Sequence, residues 1–563
     1  MPSNPFADAT LGAMIDAVAA RWPAGEAIVF GDERVTFAEL RDRAVVLARG
    51  LAALGIRPGD RVAIWLPNRP AWYVAQHACA RLGAVVVALN PRYRAHELGY
   101  ILGQSGATAL LLTDHLGAVD YFEVLHQVLP ELPHAVPGEI ESASLPSLRH
   151  VIVDADDPYA GCHRLADVVA GGHDAGAVGA RGGDAPRAVA GADRPAAAPQ
   201  PDDVFTLLYT SGTTAFPKGA MISHRNCVPH GWHCGERFAL TPDDRVLHAL
   251  PAAGTWGGVN IPLTAWSHGA CLVLVDVFDP LRALHLIERE CCTVWNAVDQ
   301  MIQAVLDHPG LDRHDRSSLR TGGFAATGGG RHGLFEDLVA RLVPLAFQPY
   351  GMTEVNAMAL VHDLGEPAAL RALPGIWPAP GLEVRVAHPE TGAACRPGEE
   401  GELQFRGPLV TRGYHDKPAE TRAAFTDDGW FRSGDLGVRT EEGHTIFRGR
   451  LREVLRISHH MVAPGEIEAF LMSHPAVAQA FVVGVPDART NEAAAAFVIP
   501  RAGAALTEEA LIAWCRGRIA SYKIPRIVRV VADVPRTPSP HGDKVQRGRL
   551  REQALRALEE ASP

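Results

Sequence analysis

Between residues 36 and 135, helical patterns alternate with short apolar runs, and that alternation restricts the chain to a fold built on parallel strands. "FAELRDRAVVLARGLAALG" repeats its apolar residues at helical spacing, whereas "DRVAIWL", "AVVVALN" and "ATALLLTD" are short and apolar, as buried strands are. The alternation resumes from 203 to 300. Residues 381 to 450 change character, since "GELQFRG", "GWFRSGDLG" and "EGHTIFRGR" are short strands separated by turns and predict a β-rich unit. After Arg450 a compact α+β pattern runs to the tail. At 563 residues the chain exceeds what one hydrophobic core serves, so more than one domain is expected. The fold class read from these patterns is α/β, with a large N-terminal domain (1–449) of two α/β subdomains plus a β-rich subdomain, and a small C-terminal α+β domain (450–563). Residues 170–201 are Gly, Ala and Pro with almost no large apolar side chain. Such a stretch buries too little surface to offset its ordering entropy and reads as a mobile insertion.

Composition excludes several function classes. A formal charge of −11 disfavours nucleic acid, whose phosphates need a basic surface. No run of about 18 apolar residues is present to span a membrane, and the N-terminal "MPSNPFADATLGAMIDAVAARW" lacks the basic start and apolar stretch of a signal peptide. Nine cysteines without a CxxC pair fit a reducing compartment, so a cytoplasmic protein acting on small molecules is expected.

The strongest chemical signal is "LLYTSGTTAFPKGAMISHRN", residues 207–226. An apolar strand ends at Tyr209 and is followed by Thr210, Ser211, Gly212, Thr213 and Thr214, then Lys218. Hydroxyls and backbone N–H groups in a small-residue loop make an anion cradle, with the lysine as a point charge. It is not a Walker A loop, because Gly219 and not Ser or Thr follows the lysine. "YGMTE" adds Tyr350, Gly351, Met352, the hydroxyl of Thr353 and the carboxylate of Glu354, the last suited to a Mg²⁺ that bridges phosphates. Asp435 in "SGDLG" is suited to the hydroxyls of a ribose, and Arg450 lies nearby.

In this order, together with "GEL", "PGEIE" and "PRTPS", these motifs resemble the AMP-forming adenylate superfamily of acyl-CoA synthetases, peptide-synthetase adenylation domains and luciferases, over residues 10–555. "LNPRYRAHELGYIL" and "LRTGGFAATGG" look most like the branch acting on medium-chain, aromatic or bulky acids. The resemblance implies a two-step reaction: a carboxylate attacks the α-phosphate of ATP to give acyl-AMP, and a mobile C-terminal domain then rotates so that CoA displaces AMP. Mg²⁺, ATP or acyl-AMP, and CoA are the implied cofactors and substrates. By family position Thr327 and Gly328 join the nucleotide site, Lys544 bridges carboxylate and α-phosphate, Glu453 sits at the hinge, and Ser458 and His459 line the CoA tunnel.

Departures from the family pattern sharpen the expectation. The chain contains only four lysines, and three extra residues separate Ser539 from Lys544, with Asp543 beside the ammonium. Extended, three residues displace a side chain by up to about 10 Å, and a misplacement of about 1 Å can cost on the order of 100-fold in rate. Ala215 replaces a loop glycine, which at a left-handed position costs roughly 1–2 kcal/mol. The expectation is therefore an acyl-CoA ligase whose adenylation step is impaired or lost and which takes acyl-AMP from a separate adenylating enzyme. An ordinary two-step synthetase and an inactive acyl-AMP- or CoA-binding homologue are the alternatives, and a homodimer is left open.

The acid pocket is expected from Trp232, His233, Gly254, Trp256, Trp295, Gly323 and Ala325, with core packing the competing reading for Trp295. Gly254 stands where relatives carry a histidine, which leaves room for a bulky, polycyclic or terpenoid-like acid. His224, Cys227, His230, His233 and Cys234 gather at helical spacing but match no zinc module, so a pocket-flanking helix is the preferred reading.

Overall fold

The computed structural model of the chain describes residues 3–117, 119–181, 198–210, 217–326, 331, 333–457, 460–487, 489–537 and 544–560. Two large sheets carry the N-terminal region. The first runs in the order Lys218–Ser223, Val204–Thr210, Val85–Ala88, Arg61–Trp65, Ala109–Thr113, His150–Asp154, His163–Arg164 and is parallel except for its first strand. The expected strands of residues 36–135 are its centre, and they are apolar because helices cover both faces.

The second sheet is assembled from distant parts of the chain. Its core is Arg245–His248, Cys271–Leu274, Val294–Trp295 and Thr321–Ala325, all parallel. The N-terminal strand Glu26–Phe30 joins the edge of this sheet, with Ile28 opposite Leu272, and Glu33–Thr36 folds back on it as a hairpin. A third, six-stranded sheet runs Leu360–Val361, Gly375–Pro378, Thr445–Arg450, Phe431–Arg439, Glu400–Arg406, Glu383–Ala387; its pairings are antiparallel, as the turn-rich sequence predicts. The C-terminal region has its own sheet, centred on the long antiparallel pair Val477–Asp487 and Asn491–Pro500, and its own buried cluster around Leu455, Ile467 and Val482.

The expected insertion at 170–201 needs correcting at its start. Residues 165–181 form the helix Leu165–Arg181, which packs on the helix Phe37–Ala53. Glycine serves that contact: a Cβ on Gly50 would lie 2.1 Å from the Val168 carbonyl oxygen, and one on Gly172 would lie 2.1 Å from that of Val46. The small residues that suggested disorder instead let two helix backbones approach. Residues 182–197 lie outside the described residues. Among the described residues no helix is long and apolar enough to cross a membrane.

Candidate functional site

The strands Val204–Thr210 and Lys218–Ser223 form a hairpin at the edge of the first sheet, and Thr210 stands opposite Lys218 in the last pair. The connection between them, with Ser211, Gly212, Thr213, Thr214 and Ala215, lies outside the described residues, as do Thr327, Gly328, Ser458 and His459. The base of the loop is nonetheless fixed. The Lys218 ammonium sits 4.6 Å over the Tyr414 ring, and no carboxylate among the described residues pairs with it.

Tyr414 joins this lysine to the expected metal-binding carboxylate. Its hydroxyl donates to Glu354 Oε1 at 2.9 Å, and burial raises the phenol well above its ordinary range, so it stays a donor. Glu354 is only 5% exposed, and its carbonyl accepts from the Thr411 N–H at 2.7 Å. Next to it, Thr353 Oγ1 accepts a hydrogen bond from the Thr255 hydroxyl at 2.8 Å, which leaves the proton of Thr353 free to turn toward a substrate oxygen. Gly351 is demanded by the loop geometry, because a Cβ there would lie 1.1 Å from the Ala357 carbonyl oxygen.

A second cluster forms where the antiparallel strands place Asp435 opposite Arg450. Asp435 is 1% exposed. Its Oδ1 accepts from Arg450 Nη1 and its Oδ2 from the Tyr350 hydroxyl, both at 2.7 Å. Burial raises its carboxyl above the ordinary range in spite of these partners. Tyr350 itself stacks on Phe447, with 5.2 Å between ring centroids, and on Phe405, while Met352 packs at the margin of the same cluster. A carboxylate offers about four lone-pair sites, so two ribose hydroxyls can join the two protein donors already in place.

The expected pocket residues separate into groups. Gly254 precedes a π-helical turn, Thr255–Asn260, which carries Trp256. A Cβ on Gly323 would lie 3.1 Å from Cζ2 of Trp256, so strand Thr321–Ala325 and this indole meet, and Ala325 ends the same strand. Trp295 is 2% exposed and belongs to the core beneath the second sheet, the competing reading for it. Trp232 is buried and stacks near His268. His233 lines a cavity of about 240 Å³ with Asn4, Pro229, Pro380 and Pro408, which neither Trp256 nor Gly323 lines. On the same helix the Cys234 sulfur lies 3.6 Å from His230 Nε2, and among the described residues no three or more His, Cys, Asp or Glu side chains, these included, converge as ligands of a metal ion.

At the C-terminal end, Leu451–Glu453 is a single helical turn between the strands Thr445–Arg450 and Leu455–Ile457, and Glu453 Oε2 lies 3.3 Å from Arg547 Nε. Arg547 also donates to Glu468 at 2.6 Å. The backbone of Lys544 pairs with Thr537, and that of Val545 with Arg536. Residues 538–543 lie outside the described residues. The three added residues therefore fall between the two members of this backbone pair.

Comparison with known proteins decides the family. The model for AMP-binding enzymes matches residues 15–415, and that for the AMP-binding enzyme C-terminal domain matches 466–540. The chain belongs to the AMP-binding enzyme family. Among relatives of this AMP-binding enzyme is "3-[(3aS,4S,7aS)-7a-methyl-1,5-dioxo-octahydro-1H-inden-4-yl]propanoyl:CoA ligase" of Mycobacterium tuberculosis, 35% identical, covering 96% of this chain and 98% of the relative. The mitochondrial medium-chain acyl-CoA ligase ACSF2 of Homo sapiens is 32% identical over 98% of this chain and 88% of its own. Among solved structures, ATP-bound MatB from Rhodopseudomonas palustris superposes with a TM-score of 0.77 at 28% identity, covering 96% of this chain and 98% of that one. By this kinship the chain is an AMP-forming acyl-CoA ligase.

Sequence reasoning missed Tyr414 and Thr255. Tyr414 reaches the site because Ala220 bridges to it and the Met221 N–H donates to the Gly413 carbonyl. No local pattern announces a contact between segments so far apart.

Proposed function

We propose that this AMP-binding enzyme converts a bulky carboxylic acid to its CoA thioester in two steps. A carboxylate oxygen attacks the α-phosphorus of ATP and expels pyrophosphate; the CoA sulfur then attacks the acyl carbon, and AMP leaves. The observation that carries this reading is the meeting of Lys218, Tyr414 and Glu354 beside Thr353, because the first step joins two anions and needs cations fixed where charge builds up.

The donor set fits Mg²⁺. Tyr414 holds Glu354 Oε1, and no hydrogen bond among the described residues engages Oε2. Bound there, Mg²⁺ would neutralise phosphate charge. Asp435 would accept the ribose hydroxyls, Lys218 would draw the phosphates to the loop that starts at Thr210, and the Thr353 hydroxyl would donate to an oxygen at the reacting phosphate. Lys544 would supply the remaining cation in the adenylating pose. The 450–453 turn would serve as the hinge for the C-terminal domain, 450–563. Gly254, with no side chain, and Trp256 would leave a broad pocket for the acid, in keeping with the bicyclic acid in the name of the mycobacterial relative.

The pairing of Thr537 with Lys544 supports the complete two-step reaction. A second reading, thioester formation from acyl-AMP made by a separate adenylating enzyme, is favoured by Ala215 in the phosphate loop and Asp543 beside Lys544. Acid-dependent ATP–pyrophosphate exchange tests the choice, since only the two-step ligase catalyses it.

A further inference from the structure

The hairpin that carries Lys218, the segment that carries Tyr414 and the turn that closes the Tyr350–Glu354 motif come from separate parts of the chain, and Asn226 bonds to all three. It is buried in the first turn of helix His224–Arg237, directly after strand Lys218–Ser223. Its Oδ1 accepts from the N–H and the hydroxyl of Ser223, at 2.8 and 2.9 Å. Its Nδ2 donates to the Pro408 and Val410 carbonyls, the second at 3.0 Å. Its backbone carbonyl accepts from Nδ2 of Asn356 at 2.6 Å. The carboxamide thus uses both of its protons and both acceptor positions. Asn356 and Ala357 need such a support, because both hold left-handed backbone, with φ of 61° and 68°, immediately after the single turn Thr353–Val355. Residues other than glycine keep that conformation only where their surroundings fix it. Beyond Val410 the chain continues to Thr411, whose N–H donates to the Glu354 carbonyl at 2.7 Å, and to Tyr414, whose hydroxyl donates to the Glu354 carboxylate.

We infer that Asn226 is a positioning residue for the phosphate end of the proposed nucleotide site: by bonding the hairpin, residues 408–410 and Asn356 together, it sets the spacing of Lys218, Tyr414 and Glu354. The inference rests on that proposed site and adds to it a residue that acts only through others. The carboxylate at the ribose end, Asp435, is held instead by Arg450 on the neighbouring strand and by Tyr350 ahead of the turn. Loss of the Asn226 donors should therefore weaken the hold on Mg²⁺-bound phosphates and spare the hold on AMP.

The test is calorimetric binding of ATP with Mg²⁺, of ATP with EDTA and of AMP to the wild-type chain and to Asn226→Asp. Aspartate keeps the acceptor for Ser223, and with it the helix cap, but has no N–H for Pro408 and Val410. The wild type is expected to bind ATP more tightly with Mg²⁺ than with EDTA. N226D is expected to lose that gain, its affinity for Mg²⁺-bound ATP falling on the order of 10-fold, the worth of one or two neutral hydrogen bonds, while its affinity for AMP stays within about twofold. Asn356→Gly accepts the left-handed backbone and removes the bond to the Asn226 carbonyl; it should show the same split with a loss of about 5-fold, and it decides the matter if N226D does not fold. Equal losses for ATP and AMP, a Mg²⁺ gain that survives intact in the folded variant, or no Mg²⁺ gain in the wild type overturns the inference. Thioester formation by the wild type is assayed in parallel: the split between ATP and AMP, without any CoA thioester being made, would overturn the ligase reading and leave this one standing.

Discussion

Glu354 accepts the Tyr414 hydroxyl at Oε1 across 2.9 Å, and the face of the same tyrosine lies under the Lys218 ammonium. One ring thus sets the spacing between the carboxylate suited to a cation and the lysine suited to phosphate. Tyr414→Phe keeps the ring under Lys218 and removes only the hydrogen bond. A bond to a carboxylate is worth about 1.5–3 kcal/mol, so kcat/KM for ATP is expected to fall by about 10- to 100-fold, with a raised Mg²⁺ requirement in a magnesium titration. Unchanged Mg²⁺ dependence would separate Tyr414 from the metal site.

Asp435 carries a pH signature. Burial raises its carboxyl, so the folded protein keeps this proton to a higher pH than the unfolded chain does. Its contribution to stability is fully present below the ordinary aspartate range and is lost as pH rises through the raised value. Nucleotide binding runs the other way, because only the ionised carboxylate accepts two ribose hydroxyls; ATP affinity is expected to drop as the pH falls into that window. Asp435→Asn should flatten both dependences and weaken ATP binding by about 10- to 100-fold, the worth of losing charge-assisted hydrogen bonds. Calorimetric ATP titrations at several pH values check the sign.

Gly50 tests the helix contact that composition concealed. Ala is favoured over Gly in a helix by about 1 kcal/mol, yet a Cβ at Gly50 would lie 2.1 Å from the Val168 carbonyl oxygen. Overpacking against backbone costs typically 1–3 kcal/mol, so the clash should win. Gly50→Ala is expected to lower the Tm by a few degrees and to speed proteolysis within 165–181, whereas a raised Tm would contradict the close packing.

The lengthened tail makes its own prediction. Thr537 lies opposite Lys544, so the lengthened connection starts and ends at one backbone pair. Deleting residues 540–542 is expected to leave kcat for thioester formation within about threefold, far below the loss on the order of 100-fold that a displaced cation brings. A large gain on deletion would show that the added residues hold the lysine away.

Much of the fold was legible because buried parallel strands write themselves as apolar runs, as in "DRVAIWL" and "ATALLLTD". What escaped was pairing across distance. "EAIVF" is too short to reveal that Ile28 pairs with Leu272 in the second sheet. Residues 170–181 read as the start of a mobile insertion because a close helix contact and a flexible linker call for the same small residues. At the site, the motifs gave Thr353, Glu354, Asp435 and Arg450, since each belongs to a short local pattern. Tyr414 and Thr255 meet the other site residues only through contacts made by the folded chain, and His233 lines a cavity that Trp256 does not.

The most direct measurement is acid-dependent ATP–pyrophosphate exchange by the wild type and by Lys544→Ala, set against thioester formation from synthetic acyl-AMP and CoA. The two-step account predicts rapid exchange in the wild type, a loss of about 100- to 1,000-fold in the variant, as for other removed transition-state donors, and thioester formation from acyl-AMP within a few-fold in both. A wild type that makes thioester rapidly from acyl-AMP yet shows no exchange would contradict it.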